Sequence, residues 1–351
     1  MRRRSDLRIA LLFLLPNFLG FLVFLLGPVV FSLGASFTNW NLMRTVPLRF
    51  AGFENFQTLF HSEEFWLYSV NTLYFMIGMP IAIAGSLLLA ILLSRQMRGV
   101  VIYRTLFYLP SFTAGVALLI LWKALYNPSF GPINEAIAFL LEPVRAFADT
   151  VSAAQFLREH GPFGWVANQD GALPLLARLA LAQPPEWLGS TQNLFALRPN
   201  AVGFDAAQWG LGARDAIIFM GVWTAVGGGN MLLYLAGIAN IPPELYEAAE
   251  IDGAGRWATF LHVTWPQLAP TTFFIVIMSF IAGLQGGFEQ ARVMTLGGPA
   301  GTTTTLAYYI YIKAFEEFQI GYASAVAWVL FSIVFAITLV NWRFGSRYVN
   351  Y

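Results

Sequence analysis

The densest group of charged side chains lies in the second half of the 351-residue chain. Four carboxylates fall within nine residues there: Glu244, Glu247, Glu250 and Asp252. Gly253 and Gly255 follow directly, and glycine is the residue that most readily ends a helix and turns the chain. Because only 11% of the chain is charged and 57% is hydrophobic, this acidic segment stands apart from its own sequence. Its carboxylates suit it to bind a basic or polar partner surface.

The sequence offers little for catalysis. It contains no cysteine, which excludes disulfides, thiol nucleophiles and thiolate metal ligands. The three histidines, His61, His160 and His262, are far apart and lack metal-ligand spacing, so we expect no metal site. No G-x-x-x-x-G-K-[ST] phosphate loop is present, and neither Lys123 nor Lys313 follows a glycine. We therefore expect a non-catalytic chain that binds no cofactor itself, and the net charge of +1 gives no reason to expect nucleic acid.

The apolar segments dominate the chain, whose mean hydropathy is +0.62. About 20 consecutive apolar residues can span a bilayer as a helix. Six segments meet that description and predict an all-α polytopic membrane protein: Ile9–Leu33, Val70–Leu93, Leu106–Ala124, Ala216–Ile238, Leu268–Leu284 and Tyr322–Trp342. From the second segment onward they contain no Asp, Glu or Arg. This favours the assignment, since a charge at mid-span costs about 2.5–3.5 kcal/mol.

The first segment could instead be a signal peptide. We favour a retained helix, because its apolar run exceeds the roughly 7–15 residues of a signal core and because Pro16 and Pro28 interrupt it. Arginines concentrate on one side of the six spans: Arg2, Arg3, Arg4, Arg8, Arg95, Arg98, Arg104, Arg343 and Arg347. By the positive-inside rule that side is cytoplasmic. We expect a bacterial or archaeal plasma-membrane protein with both termini in the cytoplasm.

Two connections between spans are long. The external connection, 125–215, contains many prolines and several apolar patches, and predicts a small subdomain inserted at about 143–205. The cytoplasmic connection, 240–266, contains the acidic segment. We divide the chain into three regions: an N-terminal helix with the first external loop (1–66), a transmembrane domain (67–342) and a cytoplasmic tail (343–351).

The cytoplasmic connection predicts two short helices joined by a glycine hinge. Pro242 and Pro243 suit a first helical turn, where a missing N–H costs nothing. One small apolar face has helical spacing: Leu245, Ala248 and Ala249. A hairpin lying on lipid would carry Lys and Arg on its polar face. Four acids and the single Arg256 favour a cytoplasmic protein partner instead.

The spacing around the first glycine resembles a known family. Glu247-Ala248-Ala249, three residues and then Gly253 match the EAA–Gly signature of ATP-binding-cassette (ABC) importer permeases, whose later Ile-x-Leu-Pro corresponds to Val263-Thr264-Trp265-Pro266. Trp265 departs from the signature. The resemblance implies the six-helix transmembrane domain of a type I ABC importer, and a coupling segment that contacts the ATPase. We assign to that contact Leu245, Glu247, Ala248, Ala249, Gly253 and Pro266.

Further strings resemble the carbohydrate-uptake branch of this family, of the maltose and glycerol-phosphate permease type: Asn71-Thr72-Leu73, Arg104-Thr105, Leu109-Pro110, Gly297-Gly298-Pro299 and Gly321-Tyr322-Ala323-Ser324-Ala325. This implies a sugar, oligosaccharide or glycerol-phosphate-like solute delivered by an extracytoplasmic binding protein. It also implies a second homologous permease subunit, membrane lipid, and a cytoplasmic ATPase dimer that holds the ATP and Mg²⁺. Residues 143–205 match nothing in the family.

Polar side chains inside a bundle mark a candidate solute pathway. Asn230 follows three glycines and lies about 12 Å from the inner end of the fourth span, at about 1.5 Å per residue. Three further candidates follow the fifth span: Gln285, Phe288 and Glu289. Amide and carboxylate groups can bind sugar hydroxyls while an aromatic ring stacks on the sugar. The alternatives are one interhelical hydrogen bond at Asn230 and an ion pair of Glu289 with Arg292.

The sequence lacks the features of two other classes of membrane protein. An ion-coupled secondary transporter would need an intramembrane carboxylate, and the second, third, fourth and sixth predicted spans contain none. A membrane-embedded enzyme would need a cluster of His, Asp, Glu or Ser at the membrane face, and no such cluster is evident. Whether the pore is a homodimer or a heterodimer stays open.

Overall fold

The computed structural model describes five ranges of the chain: 13–43, 47–95, 98–113, 115–150 and 186–345. The predictions about the N-terminal arginines, His160, residues 151–185 of the insertion and residues 346–351 of the tail lie outside these ranges. The chain divides into two compact units. The first comprises Met1–Thr72, Ile277–Phe288 and Thr305–Tyr351, and the second comprises Leu73–Val276 and Glu289–Thr304.

The described residues are mainly helical. Helices α1 to α6 are Phe13–Ser36, Glu54–His61, Glu63–Phe75, Gly78–Ser94, Val100–Phe112 and Gly115–Leu125. Helices α7 to α10 are Pro132–Thr150, Ala213–Val226, Gly229–Ala239 and Pro243–Ile251. Helices α11 to α15 are 256–267, Ala269–Gln285, 288–295, 306–316 and Ile320–Gly345. Of these five, α11, α13 and α14 each include a wider π-helical turn. Apart from isolated bridges, no β-strand occurs within these ranges.

Five helical segments are long and apolar enough to cross a membrane: Phe13–Ser36, Glu63–Ser94, Ala213–Ala239, Ala269–Thr295 and Ile320–Arg343. Helices α5 and α6 meet the same criterion as a pair, bent by 96°. If that pair is one span, the described part of the chain has the six predicted spans.

The observed helices extend beyond the apolar runs that predicted them. Helix α8 begins at Ala213 rather than 216, and the span of α12 continues to Thr295 rather than ending at 284. Spans drawn from apolar runs excluded several charged side chains that the observed spans include: Glu63, Glu64, Arg214, Asp215, Glu289 and Arg292. An apolar run ends at the first charge, whereas a helix continues until its backbone hydrogen bonds are capped or broken.

In the first unit, α1 packs against α15. The indole Nε1 of Trp328 donates a hydrogen bond to the Ser32 hydroxyl at 3.2 Å. At the start of α15, a Cβ on Gly321 would lie 2.1 Å from the Thr38 carbonyl oxygen, so only glycine permits this backbone approach. The same glycine donates its N–H to the Trp40 carbonyl at 3.0 Å.

Lys313 of helix α14 forms two ion pairs within the first unit. The Lys313 ammonium group lies 3.2 Å from a Glu64 oxygen and 2.8 Å from a Glu317 oxygen. Burial acts to lower the pKa of Lys313, but the hydrogen bonds to Glu317 and Glu64 outweigh it and leave that pKa raised. The ammonium group is therefore charged at neutral pH.

In the second unit, α4 packs against α8 and α9. Small residues allow the close contact, since a Cβ on Gly85 would lie 2.7 Å from the Val226 side chain. The core of this region is buried: Leu87, Leu89, Ala90, Leu93, Met231, Tyr234, Ile241, Leu268 and Ile275.

A second core surrounds Trp122 and Tyr126 at the end of α6, where the Tyr126 hydroxyl donates to the Ala216 carbonyl at 2.8 Å.

The external connection is folded where it is described. Trp187 donates from its indole to Asn134 Oδ1 of α7 at 2.7 Å. The fully buried Asn193 closes a turn with Leu197: its Nδ2 donates to the Leu197 carbonyl and its Oδ1 accepts from the Leu197 N–H, each at 2.9 Å.

Candidate functional site

The acidic segment forms helix α10, and its start follows from two prolines. Pro243 occupies the first helical position and Pro242 precedes it in an extended conformation. The Pro242 carbonyl accepts the first hydrogen bond, from the Leu245 N–H at 3.2 Å. Glu244 lies in the first turn, where the helix dipole favours a carboxylate.

Helix α10 ends in a Schellman motif. The Gly253 N–H donates to the Glu250 carbonyl at 3.0 Å, and the Ala254 N–H donates to the Ala249 carbonyl at 2.9 Å. Gly253 has φ +75°, in the left-handed region that favours glycine. A Cβ at this position would meet no atom within 4 Å. Glycine is therefore required here by backbone conformation and not by crowding within this chain.

Helix α11 contains a π-helical turn, Phe260–Thr264, directly before Pro266. The Trp265 N–H donates five residues back, to the Phe260 carbonyl. Proline has no N–H and its ring would clash with the carbonyl four residues earlier in a regular α-helix. The wider turn accommodates it, and the ladder resumes with the Leu268 N–H donating to the Thr264 carbonyl at 3.0 Å.

One face of α10 is anchored to the second unit. The Tyr246 hydroxyl lies 3.2 Å from the Thr264 hydroxyl of α11, and Thr264 is buried. The Tyr246 ring packs against the buried core, together with Phe260 and Val263. These contacts hold α10 and α11 together against the buried core of the second unit. Residues 240–267 are hereafter the inner segment.

The opposite face of α10 is exposed and partly apolar. Ile251 is 86% exposed and Leu245 is 38% exposed. Ala248 lies between them on the same face and is exposed, as is Glu247, whereas Ala249 is half-buried on the other side. Of the apolar face expected from the sequence, Leu245 and Ala248 are thus exposed to solvent, and the exposed face extends to Ile251. Pro266 is exposed.

Sequence reasoning missed Ile251 and Tyr246. Ile251 follows Ala248 at helical spacing, and this signal was available in the sequence. Tyr246 had no comparable signal, because only the tertiary packing decides which face of α10 meets the core.

Asn230 lies in the first turn of α9, directly after a break in the fourth span. Gly227 and Gly228 separate α8 from α9. A Cβ on Gly227 would lie 2.0 Å from the Phe107 carbonyl oxygen of α5, so only glycine allows this approach. Asn230 is half-buried, and its amide makes no hydrogen bond with the described residues. The interhelical hydrogen bond considered as its alternative role is therefore not seen.

Gln285 and Phe288 belong to the first unit. Gln285 is the last residue of α12 and is exposed. Phe288 is half-buried, and its ring centroid lies 5.9 Å from that of Tyr308 and 5.2 Å from that of Tyr311, both of α14. An aromatic group surrounds Phe288, which the sequence did not predict.

Glu289 belongs to the second unit and is exposed. Its pairing with Arg292 stays a prediction. A Cβ on Gly115 would lie 2.9 Å from Glu289 Oε2, so the carboxylate sits against the N-terminus of α6. The positive end of the α6 dipole favours a carboxylate at that place.

A buried polar cluster in the second unit was not predicted at all. Asp215 accepts a 2.5 Å hydrogen bond from the Tyr74 hydroxyl and one from the Gly212 N–H at 3.3 Å. Arg214 is 1% exposed, donates from Nε to the Thr302 carbonyl at 3.0 Å, and lies 5.5 Å from the Tyr74 ring centroid. These residues, Tyr74, Arg214, Asp215 and Thr302, are hereafter the outer cluster. A glycine followed three residues later by an acid is a helix-start pattern, the one sequence signal available.

The described ranges contain no group of three His, Asp or Glu side chains able to hold a metal ion. Several apolar spans, with a folded segment that exposes acidic and apolar side chains between two of them, define a polytopic membrane protein.

The family follows from comparison. Residues 73–344 match the family model described as "Binding-protein-dependent transport system inner membrane component". The "Probable ABC transporter permease protein YesP" of Bacillus subtilis is 32% identical, over 99% of this chain and 94% of its own length. The sn-glycerol-3-phosphate transport system permease protein UgpA of Yersinia enterocolitica is 28% identical, over 86% of this chain and 82% of its own. The chain belongs to the family of inner-membrane permease components of binding-protein-dependent ABC transporters, which confirms the resemblance seen in its EAA segment.

Two solved structures have the same fold. One is a bacterial ABC transporter involved in the import of the acidic polysaccharide alginate; it has a TM-score of 0.69 and 22% identity and covers 100% of both chains. The other is a bacterial alginate ABC transporter in complex with an alginate pentasaccharide-bound periplasmic protein, with a TM-score of 0.66 and 23% identity over 97% of this chain and 93% of that one. The predicted type I importer fold is confirmed.

Proposed function

We propose that this permease forms half of a translocation pore and that its inner segment docks into a groove on a cytoplasmic ATPase. The observation that carries the proposal is α10 itself: it is anchored from behind by Tyr246 and exposes Leu245, Ala248 and Ile251 beside four acids. An exposed apolar face on a fixed helix, rimmed by charge, fits a partner groove. Gly253 gives the tight turn that presents this face.

ATP hydrolysis belongs to the partner in this proposal. The chain has no phosphate loop, so ATP and Mg²⁺ would be bound by the ATPase dimer. The chain purified alone should then show no ATPase activity above that of a mock preparation. Hydrolysis that co-purifies with the permease in the absence of the ATPase would contradict this division.

The orientation follows from charge. Arg95, Arg98, Arg104 and Arg343 all lie on the side of the inner segment if the spans alternate. The positive-inside rule assigns that side to the cytoplasm, and with it both termini. The external connection, 143–205, would then face the delivering binding protein or the second permease, and its deletion should weaken stimulation by the binding protein.

A carbohydrate is the solute class we propose. UgpA carries sn-glycerol-3-phosphate in its name, and the alginate transporter takes up a polysaccharide. The four pathway residues, Asn230, Gln285, Phe288 and Glu289, include no cation and one carboxylate. A carboxylate disfavours phosphate and uronate groups, whereas amide and aromatic groups suit neutral hydroxyls and sugar rings. We therefore favour a neutral sugar or oligosaccharide.

The experiment is uptake into proteoliposomes containing the whole complex, loaded with ATP inside. Asn230→Ala and Glu289→Ala should each lower uptake about tenfold, as expected when a hydrogen bond to the solute is lost. Asn341→Ala is the matched control, since this half-buried asparagine in the last turns of α15 lies outside both the proposed pathway and the inner segment and should have no effect. Normal uptake by both pathway variants would show that they are packing residues.

The same assay separates the proposal from an ion-coupled transporter. Uptake should stop when ATP is omitted and continue when a protonophore removes the ion gradient. The reverse result would favour secondary transport.

A further inference from the structure

A cavity of about 470 Å³ opens in the second unit beside the inner segment. One part of its wall is apolar and formed by the ends of α4 and α9: Ile91, Leu235, Ile238 and Ala239. The other part is polar: Ser94, Arg95, Arg104, Tyr246 and Thr264. Tyr246 and Thr264 are the pair whose hydroxyl groups fasten α10 to α11.

The polar part of the cavity is cationic. Two arginines line it, and no carboxylate is among the described residues that do so. Arg104 donates from Nη2 to the Leu93 carbonyl at 2.7 Å, and this contact neutralises a carbonyl at the C-terminal end of α4 that would repel an anion. The Arg104 Nε is buried and has no hydrogen-bond partner in the described chain. The charge of the Arg104 guanidinium, which lines the cavity, would attract an anion there.

Arg95 supplies the second positive charge of the cavity and, unlike the half-buried Arg104, is exposed. It follows the last residue of α4 in an extended conformation, and its side chain is exposed at the rim. It can therefore reach an anion in the cavity without breaking any contact of the fold. The polar wall thus carries one arginine held by a hydrogen bond of the fold and one arginine that is exposed.

Shape selects among anions. The apolar wall offers nothing to a free inorganic ion, whereas a phosphate carried on an acyl chain would use both the wall and the arginines. Basic pockets at the cytoplasmic ends of membrane helices are suited to lipid headgroups. The position of this cavity, at the ends of two apolar spans, is where headgroups lie.

We propose that this cavity binds the phosphate headgroup of an anionic phospholipid, and that the bound lipid supports the Tyr246–Thr264 contact that holds α10. The second half rests on the proposed role of α10 in docking the ATPase, and the first half does not. Anionic lipid would thus set how firmly the inner segment presents its exposed face.

Binding is tested by native mass spectrometry of the complete complex, with phosphatidylglycerol and phosphatidylcholine titrated in neutral detergent. Arg95→Gln should weaken retention of phosphatidylglycerol about fivefold. Arg98→Gln removes the same charge from the same connection but does not line the cavity, and its retention should match that of the wild type. Because Arg95 is exposed, its replacement leaves the fold intact, unlike replacement of Arg104. Equal retention by the two variants, or equal retention of the two lipids by the wild type, would overturn the proposal.

Inorganic phosphate distinguishes the source of the anion. At millimolar concentration it should not displace phosphatidylglycerol, and displacement would overturn the lipid assignment in favour of a free anion. In proteoliposomes, phosphatidylglycerol should raise ATP-driven uptake by the wild type and Arg98→Gln, but not by Arg95→Gln. Selective lipid retention without this difference in uptake would overturn the regulatory half alone. A wild-type complex that retains the lipid but transports without ATP would instead contradict the proposed function.

Discussion

The inner segment and the outer cluster use charge in opposite ways. At the inner segment four acids are exposed beside Ile251, which is 86% exposed, while the anchoring groups are a tyrosine and a threonine. In the outer cluster Arg214 is 1% exposed and Asp215 is 7% exposed, and each makes a hydrogen bond within the chain. A buried charge with internal partners serves the fold, whereas an exposed apolar residue on a fixed helix serves a partner.

The two regions should therefore fail in different assays. Changes in the outer cluster should lower the stability of the permease itself. Changes on the exposed face of the inner segment should leave stability unaltered and weaken assembly with the ATPase. Four substitutions test this contrast.

The largest effect is expected from Arg214→Met. Loss of the guanidinium leaves the Thr302 carbonyl without its charged donor and removes the positive charge next to the buried Asp215, and losing a buried hydrogen bond to a charged group costs about 1.5–3 kcal/mol. The thermal unfolding midpoint of the purified permease should fall sharply. The double variant Arg214→Met/Asp215→Asn should recover part of the loss, because it removes the orphaned charge. An unchanged midpoint for the single variant would show that the outer cluster is not structural.

Gly253→Asp should have the next largest effect, and on assembly. Its left-handed conformation costs a non-glycine residue about 1 kcal/mol, less for Asp and Asn than for Ala. Since a Cβ meets no atom of this chain, any further loss must come from the ATPase. We expect Gly253→Asp to lose the ATPase on co-purification while its unfolding midpoint changes little.

Two matched variants separate the causes at Gly253. Gly253→Asn has the same shape as Asp without the charge, and Gly253→Ala has the greater conformational strain with less bulk. Retention of the ATPase should fall in the order Ala, Asn, Asp if the partner surface excludes bulk and charge. The order Asp or Asn above Ala would mean that backbone conformation alone is at work.

Ile251→Ser should have a smaller effect on assembly. The side chain contributes nothing to the fold because it is exposed, so stability should change by less than about 0.5 kcal/mol. Its loss from a partner groove should weaken ATPase binding by about 1–2 kcal/mol, close to tenfold. The control is Phe204→Ser, an exposed apolar residue of the external connection, which should leave ATPase affinity unchanged. Equal affinities for both variants in a titration of ATPase onto permease would contradict the assignment of Ile251.

Tyr246→Phe should have the smallest effect. It removes one hydroxyl contact with Thr264 while keeping the packed ring, and a hydrogen bond of this kind is worth about 1 kcal/mol. Coupling should weaken slightly, seen as more ATP hydrolysed per solute transported. Tyr103→Phe, at an exposed tyrosine of α5, is the control. A larger effect than that of Gly253→Asp would show that anchoring, not the exposed face, limits coupling.

The same contrast explains what the sequence could predict. Pro243 and Gly253 define the ends of α10 through local backbone rules, so the helix, its hinge and the positive φ were accessible from a dozen residues. The outer cluster joins Tyr74 to Asp215 across 141 residues and Arg214 to Thr302 across 88, and no local pattern encodes such pairings. The predicted span began at 216 and so left both charges outside.

The pathway residues fall between these cases. Three glycines in a row can admit a neighbouring helix or interrupt their own, and the structure has a break between α8 and α9 at this point. The aromatic group around Phe288 and the approach of Glu289 to Gly115 depend on elements distant in sequence, which no spacing revealed. Solute contact by these residues stays a prediction.

The central claim is that the exposed face of α10 meets the ATPase, and site-specific cross-linking tests it most directly. Because the chain has no cysteine, Ile251→Cys provides a unique site for a photoreactive maleimide, and Phe204→Cys provides a control of similar exposure. In an assembled complex that hydrolyses ATP, illumination should join the permease to the ATPase through position 251 and not through position 204. A complex of full activity in which position 251 forms no adduct, and reacts with a water-soluble maleimide as fast as it does without the ATPase, would contradict the account.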